Sequence, residues 1–363
     1  MPPSTNWLSR EGRFPLKEQK KPVIHLESGF TADVAGKLLQ RTLLDPWKTL
    51  PLLLLVHYTA KGQELAQQSP RALKALRALV FLAVLRRLNA WVNRRALNNG
   101  VSDNYNWNRE VVVLTGGSNG IGRRMAELLG NRGIKVAILD IQTPKDKLPP
   151  TVRFYECDIT SPATIAEVAG NIRSTLGEPT VLINNAGILS GTTILGSTES
   201  LTRKMFDINT LSHYWMAREF LPSMIDRNHG MVVTVASQAG YMTTPNMTDY
   251  SATKAAAIAF HEGLTAELVT RYKAPRVRTV LMTQGFTRTT LIDVLTPEST
   301  WVNPLLHPET VAEQLVNQIL TGRSGHIVVP GSSGWIAKNL RSFPWWFQHR
   351  LRNRAERMMR GPA

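Results

Sequence analysis

Cysteine is nearly absent: Cys157 is the one such residue in a chain of 363. No internal disulfide can form, and without a Cys-x-x-Cys or mixed Cys/His cluster the sequence argues against a structural zinc. Long hydrophobic runs are missing as well. The apolar stretches Thr49–Ala60 and Ala78–Leu85 both fall short of the roughly 18–20 residues that a spanning helix needs. The first 48 residues are polar and carry no apolar core of a signal peptide, so a cleavable secretory leader is not expected. Neither Gly-x-Ser-x-Gly nor a phosphate-binding Walker loop occurs, and His261-Glu262 lacks the second histidine of a zinc-protease helix. Serine hydrolase, P-loop and zinc-peptidase chemistry are therefore set aside, and no metal site is expected.

Acidic charge is also scarce. Lys and Arg number 43 against 27 Asp and Glu, a net charge of +16, and the excess is unevenly placed. Residues 1–110 carry 17 basic and 8 acidic side chains, residues 331–363 carry 7 and 1, and residues 111–330 are nearly neutral at 19 and 18. Two basic flanks thus enclose a neutral centre. In the first flank, a polar stretch from Lys61 to Pro70 separates the two apolar pieces, and the second piece lies within a helix-forming segment, Ala72–Leu97. Its arginines scatter around a helical projection, so no amphipathic stripe forms. Short apolar pieces edged by basic residues read as a hairpin dipping into one leaflet, with Lys and Arg reaching the headgroups. A helical pair packed on the soluble domain and a shortened spanning segment are the competing readings. In the second flank, Trp335, Phe343, Trp345, Trp346 and Phe347 precede Arg350, Arg352, Arg354, Arg357 and Arg360. Aromatic rings beside arginines suit a membrane–water interface. A nucleic-acid patch would need a fold signature that is not present.

From Glu110 onward, short β-branched runs alternate with helical segments. The strands expected are Val111–Thr115, Val136–Asp140, Val152–Cys157, Val181–Asn184, Met231–Ser237, Val277–Met282 and Ile327–Val329; the helices are Gly120–Asn131, Ala163–Leu176, Leu201–Asp226, Asp249–Tyr272 and Pro308–Leu320. Such alternation implies a parallel sheet with right-handed crossovers and helices on both faces. The chain divides into a polar segment (1–48), a hydrophobic and basic helical region (49–107), an α/β domain (108–330) and a basic aromatic tail (331–363).

Between the first strand and helix lies Thr115-Gly-Gly-Ser-Asn-Gly-Ile-Gly122. Gly116, Gly120 and Gly122 allow a tight turn and close approach of the backbone to a pyrophosphate, and the helix N-terminus adds N–H donors and a positive dipole. Ser118, Asn119 and Ile121 complete this turn. Asp140 follows Gly122 by 18 residues and ends the second strand, where a carboxylate can bind an adenosine ribose and repel a 2′-phosphate. NAD is favoured over NADP. A second cluster joins Ser237 with Tyr250-Ser-Ala-Thr-Lys254. Tyr250 and Lys254 stand one helical turn apart and face one cleft. An ammonium beside a phenol favours phenolate, which predicts a Tyr250 pKa below its usual value near 10 and a group suited to acid–base work. Ser237 can anchor the same substrate oxygen. Cys157 reads as packing.

Taken in order, Thr115–Gly122, Asn184-Asn-Ala-Gly187, Asn209, Ser237 and Tyr250–Lys254 resemble the short-chain dehydrogenase/reductase family over about residues 108–330. The resemblance implies a Rossmann-type doubly wound parallel sheet of about seven strands. It assigns Tyr250 as acid/base, Ser237 as oxygen anchor, Lys254 as ribose ligand and tuner of Tyr250, and Asn209 as holder of a relay water. It places Asp158 against the adenine, Asn185, Ala186 and Gly187 beside the cofactor, and Gly285 and Thr289 beyond the sixth strand. Phe220–Met224, His229–Ser237 and Tyr250–Ala256 look most like the membrane-associated retinol and hydroxysteroid dehydrogenases. One departure stands out: Gln284 occupies the place of the family's usual proline.

The expected activity is hydride transfer between NAD and a lipophilic alcohol or carbonyl, with residues 290–307, including Leu291, Ile292, Val294, Leu295 and Trp301, as a mobile lid. The alternatives are an NADPH-dependent carbonyl reductase and a non-enzymatic lipid-surface scaffold. The expected setting is the cytosolic face of the endoplasmic reticulum or a lipid droplet. The resemblance further suggests a homodimer.

Overall fold

In the computed structural model, residues 31–295 and 299–356 are described. The polar segment 1–30, residues 296–298 of the expected lid, and Arg357 and Arg360 of the tail lie outside them.

The β-branched runs form seven parallel strands in the order β3-β2-β1-β4-β5-β6-β7. These are β1 (Val111–Thr115), β2 (Lys135–Asp140), β3 (Val152–Glu156), β4 (Val181–Asn184), β5 (Met231–Val235), β6 (Arg278–Gln284) and β7 (Gly325–Val329). Side chains alternate between two cores, as the period of a strand requires. Val111 and Val113 enter one core with α6 (Pro162–Thr175), α8 (Ser212–Arg227) and α9 (Thr248–Thr270). Val112 and Leu114 enter the other with α5 (Gly120–Gly130) and α10 (Pro308–Leu320). Strands buried on both faces read as continuous apolar runs, and β1, β4, β5 and β6 have every residue buried. Each fully buried aliphatic side chain contributes about 1.5–3 kcal/mol. The order in which strands are added reverses between β1 and β4, which run parallel, so their carboxyl ends open a crevice at the switch point.

Two expected elements changed shape. The long helix at Leu201–Asp226 is divided into α7 (Glu199–Phe206), a π-helical turn at Asp207–Leu211, and α8. A π turn inserts one residue into the helical ladder, and such bulges gather at functional positions. Here it carries Asn209. Cys157 lies one residue beyond β3 rather than within it, with its N–H on the Asp140 carbonyl at 3.1 Å and its thiol buried and pushed up to about 11 by desolvation. That is a packing role.

Ahead of the sheet come α1 (Ala32–Arg41), α2 (Pro46–Tyr58), α3 (Ala60–Gln68) and α4 (Pro70–Leu97). α2 and α3 fold back along α4, but the hairpin buries little of itself: Leu52, Leu55, Phe81, Leu85, Leu88 and Trp91 are all exposed. Among the described residues, no helix is long and apolar enough to cross a membrane. The connector after α4 is plugged into the sheet's amino-terminal edge. Buried Arg278 donates to the carbonyls of Asn98 (3.1 Å) and Val101 (2.9 Å), and the Tyr105 hydroxyl donates to the Gly230 carbonyl at 2.6 Å. After β7, α11 (Gly331–Asn339) and α12 (Trp345–Ala355) return over the carboxyl end of the sheet.

His229, just before β5, bonds Asp103 at 2.8 Å and Glu110 at 3.3 Å. The Glu110 hydrogen bond, aided by Asp103, raises the imidazole above its ordinary value. Burial alone would lift Glu110, but its bonds to His229 and Thr180 prevail and hold it low. A raised histidine stabilises fully below its unfolded pKa near 6.5 and loses that contribution as pH climbs through the folded value. His229→Gln should therefore cost about 1–2 kcal/mol at pH 6 and less at pH 9. Unfolding curves at both pH values check this; an equal cost at both would show that the charge contributes nothing.

Candidate active site

The turn after β1 and the turn after β4 meet at a separation that only glycine permits. Gly116 has φ +67°, and a Cβ there would lie 2.8 Å from the Ala186 Cα; a Cβ on Gly122 would overlap the Gly116 carbonyl oxygen and the Asn185 amide. Hydrogen bonds lock the meeting point. Thr115 Oγ1 accepts from the N–H groups of Asn185 (3.0 Å) and Ala186 (3.1 Å), and Asn185 Nδ2 donates to the carbonyls of Thr115 and Gly116, both at 3.0 Å. Thr289 stands over Gly120, its methyl 3.1 Å from where a Cβ would project.

Asp140 closes the outer side of this turn. Its carboxylate accepts from the N–H of Ser118 and of Gln142, each at 3.0 Å. The Ser118 hydroxyl donates to the Gln142 carbonyl, and Asn119 Nδ2 donates to the Gln142 side chain at 2.8 Å. Ser118 thus fixes Asp140 and the loop after β2. Asp158 sits apart at the exposed rim, in a turn where it accepts from the N–H (2.9 Å) and hydroxyl (2.7 Å) of Thr160.

Asn209 is fully buried on its π turn and clamps the third segment. Its Oδ1 accepts from the Ile188 N–H at 2.8 Å, and its Nδ2 donates to the Ile188 carbonyl at 2.9 Å and to Thr253 Oγ1 at 3.1 Å. The amide is committed to protein groups, apart from the second lone pair of Oδ1. Gly187 passes between Asn209 and Lys254, where a Cβ would lie 3.2 Å from Asn209 Oδ1 and 3.4 Å from Lys254 Nζ.

Ser237 lies two residues past β5, and its hydroxyl accepts from the Ala239 N–H (3.1 Å) and donates to the Gln284 carbonyl (3.3 Å). Tyr250 occupies the first turn of α9, buried with Met205, Met247 and Leu295. Lys254, one turn on, donates to the Val235 carbonyl at 3.0 Å and stands 5.8 Å from the centre of the Tyr250 ring. The electrostatics depart from the sequence expectation. Burial pushes Tyr250 up to about 12, with the nearby Ser237 hydroxyl as the only group pulling it back. Burial also pulls Lys254 down to about 8. The ammonium spends its hydrogen bond on a carbonyl and not on the phenol, so desolvation governs both groups.

Ser237 and Tyr250 line one wall of an apolar cavity of about 340 Å³. Ile121, Gln284, Gly285, Leu291 and Ile292 contribute to its walls. A second cleft of about 650 Å³, bounded by Asn119, Gly120 and Arg288, shares Thr289 and Ile292 with it. Of the expected lid, Leu291 and Ile292 face the cavity and Leu295 is buried against Tyr250, while Val294 packs on Gly191. Trp301 is a correction: the residue is 55% exposed and does not line the cavity, whereas its neighbours Thr300, Val302 and Asn303 do, and its carbonyl accepts from the Ala32 N–H. Sequence reasoning missed Arg288, Met242 and the contribution of the tail, whose Ile336, Ala337 and Leu351 line the cavity. The i,i+4 pairs Ile336–Leu340 and Leu351–Ala355 were a readable signal of inward helix faces, hidden by the aromatic–arginine composition around them.

The chain matches the short chain dehydrogenase family over residues 110–299. It is 42% identical over 208 residues to the dehydrogenase RED2 of Cochliobolus heterostrophus, covering 56% of this chain and 78% of that one. It is 33% identical over 253 residues to estradiol 17-beta-dehydrogenase 11 of Rattus norvegicus, covering 68% and 83%. It is 30% identical over 220 residues to epidermal retinol dehydrogenase 2 of Mus musculus, covering 58% and 71%. Among solved structures, Thermoplasma acidophilum aldohexose dehydrogenase superposes with a TM-score of 0.54 at 24% identity, covering 61% of this chain and 93% of that one, a likeness of fold.

The contact of the two turns makes Gly122→Ala destabilising by about 1–3 kcal/mol. Gly170→Ala, in α6 with nothing within 4 Å, should be neutral or stabilising by up to about 1 kcal/mol. Comparable unfolding midpoints for the two variants would contradict the close approach.

Proposed function

The chain belongs to the short-chain dehydrogenase family and is an oxidoreductase, and from that premise we propose that it transfers a hydride between NAD and a lipophilic alcohol or carbonyl. The family works with NAD or NADP. The observation that carries the reading is the adjacency of two spaces: the apolar cavity lined by Ser237 and Tyr250 shares Thr289 and Ile292 with the cleft over the glycine-rich turn.

A dinucleotide fits this cleft. Gly120 leaves its floor without a side chain, the N-terminus of α5 points N–H groups and positive dipole at it, and Arg288 lines it with a cation. Asp140 sets the preference for NAD, because its carboxylate stands where a 2′-phosphate would meet like charge. When bound, the dinucleotide supplies the hydride acceptor or donor and, in its oxidised form, a positive ring. The protein supplies the proton chemistry. Tyr250, protonated at neutral pH, gives its proton to a carbonyl oxygen in the reductive direction; in the oxidative direction it must first lose that proton, and the phenolate then takes one from the alcohol. Ser237 turns its hydroxyl from Gln284 to that oxygen and fixes it. Lys254 would bind the ribose, its ammonium 5.8 Å from the centre of the Tyr250 ring. Asn209 holds the Gly187–Ile188 turn in place, and the remaining lone pair of its Oδ1 is what is left to take a relay water.

Tyr250→Phe should lower kcat by about 100- to 10,000-fold while nucleotide affinity stays near wild type; ordinary turnover in this variant would overturn the mechanism. Since kcat/KM for the nucleotide reports ionisations of the free enzyme, it should fall above pH about 8 as Lys254 loses its proton. Lys254→Arg should abolish that limb up to pH 10, as a guanidinium stays charged. A flat profile in the wild type would remove Lys254 from the binding step. Asp140→Ala should relax the discrimination against NADP.

We also propose that the hairpin α2–α4 and the aromatic face of α12 rest on a lipid surface, that of the endoplasmic reticulum or a lipid droplet, where apolar substrate is concentrated. Exposed Leu52, Leu55, Phe81 and Leu88 support this, with exposed Arg87, Arg94 and Arg95 on α4 placed to reach headgroups. Changing those four apolar residues to serine should cut cosedimentation with phosphatidylcholine–phosphatidylserine vesicles at least tenfold. An unchanged bound fraction would put the attachment elsewhere.

A further inference from the structure

α11 begins after Pro330 and lacks a side-chain cap of its own, leaving its first N–H groups to find partners. They find them 298 and 299 positions away in sequence. The N–H groups of Gly331 and Ser332 donate to the two carboxylate oxygens of Asp33 in α1, at 2.7 and 2.8 Å. The next contacts run to two more segments. Ser332 Oγ donates to the Val302 carbonyl at 2.8 Å, and Ser333 Oγ donates to Gln238 Oε1 at 2.9 Å. Gln238 follows Ser237, and its own Nε2 returns to the Pro330 carbonyl at 3.0 Å. The Ala32 N–H completes the ring on the Trp301 carbonyl at 3.1 Å. Three consecutive residues thus gather the amino-terminal helix, the cavity-covering segment and the strand end that bears Ser237.

What they hold is a wall. α11 lies so close to β7 that a Cβ on Gly334 would overlap the Val328 side chain. Ile336 and Ala337 of α11 and Leu351 of α12 face the cavity. α12 turns Gln348, Leu351 and Ala355 inward and leaves Trp345 and Trp346 outside.

We propose that Asp33 is a positioning residue that latches the carboxyl-terminal helices shut as one wall of the substrate cavity, and so sets the size of apolar substrate admitted. Its carboxylate does from a distant helix what a neighbouring Asp or Ser does at an ordinary helix start. The inference rests on reading this cavity as the substrate site. Without the latch, the first turn of α11 loses its cap and its tie to α1, and the wall is left to the Ser332, Ser333 and Gln238 contacts and to packing on β7.

The single native cysteine is buried and its thiol raised to about 11, so an introduced cysteine can be followed alone. In full-length protein, Leu351→Cys should react with N-ethylmaleimide at least tenfold faster once Asp33→Ala is added, with Ile336→Cys as a second reporter. Trp346→Cys, on the outer face, should react at one rate in both backgrounds. Asp33→Asn, which keeps one acceptor oxygen, should fall between. With NADH, Asp33→Ala should change KM for 2-dodecanone at least tenfold more than KM for 2-butanone. Equal labelling of both inward cysteines with and without Asp33, or equal movement of the two KM values, would overturn the latch. If wild-type protein reduces neither ketone, the substrate reading fails, and the labelling still decides whether Asp33 holds the wall.

Discussion

Everything at the site depends on two backbones being allowed to touch. The turn after β1 and the turn after β4 approach until Gly116 meets Ala186 and Gly122 meets Gly116 and Asn185. Steric exclusion makes this contact all-or-none, since a Cβ at Gly122 has nowhere to go. Thr115 and Asn185 then convert proximity into registry through four hydrogen bonds. The crevice at the reversal of strand order exists in any such sheet; its floor is bare here because glycine lines it. From this fixed point the chain reaches Asn209, whose amide carries the registry on to Ile188 and Thr253 and thereby to α9.

Desolvation then decides the chemistry. Tyr250 and Lys254 are drawn into the protein with few polar companions, so each is pushed toward its neutral form, the phenol upward and the amine downward. A neutral phenol is the form that donates to a carbonyl. On the proposed mechanism, the oxidative direction asks for added positive charge in the cleft, which an oxidised nucleotide would bring with it. Ser237 and Gln284 mark the boundary between this polar corner and the apolar cavity, joined by the hydrogen bond from hydroxyl to carbonyl.

The terminal segments are as much a part of this site as the sheet. The connector after α4 seals the sheet's amino edge through Arg278, Tyr105 and His229. Arg86 of α4 donates to the carbonyls of Gln40 and Leu44 beside the end of α1. α1 in turn caps α11. A continuous line of contacts therefore runs from the exposed apolar hairpin to the wall of the cavity, so the surface proposed to rest on lipid and the cavity proposed to take substrate share a framework.

Local sterics and periodicity determined much of this protein from its sequence alone. Alternating β-branched and helical runs specify a parallel sheet with two cores. The glycines at 116, 120 and 122, with Asp140, Ser237, Tyr250 and Lys254, mark the end of the sheet at which the proposed site lies. These signals are legible because they act over a few residues, where backbone geometry and side-chain period leave little choice. Three other features came only with the closed structure: the sign of the Tyr250 shift, the outward turn of Trp301, and the entry of Ile336 and Leu351 into the cavity. Burial and contacts across some 300 residues, such as Asp33 with Ser332, belong to the folded shape as a whole, and no short window of sequence contains them.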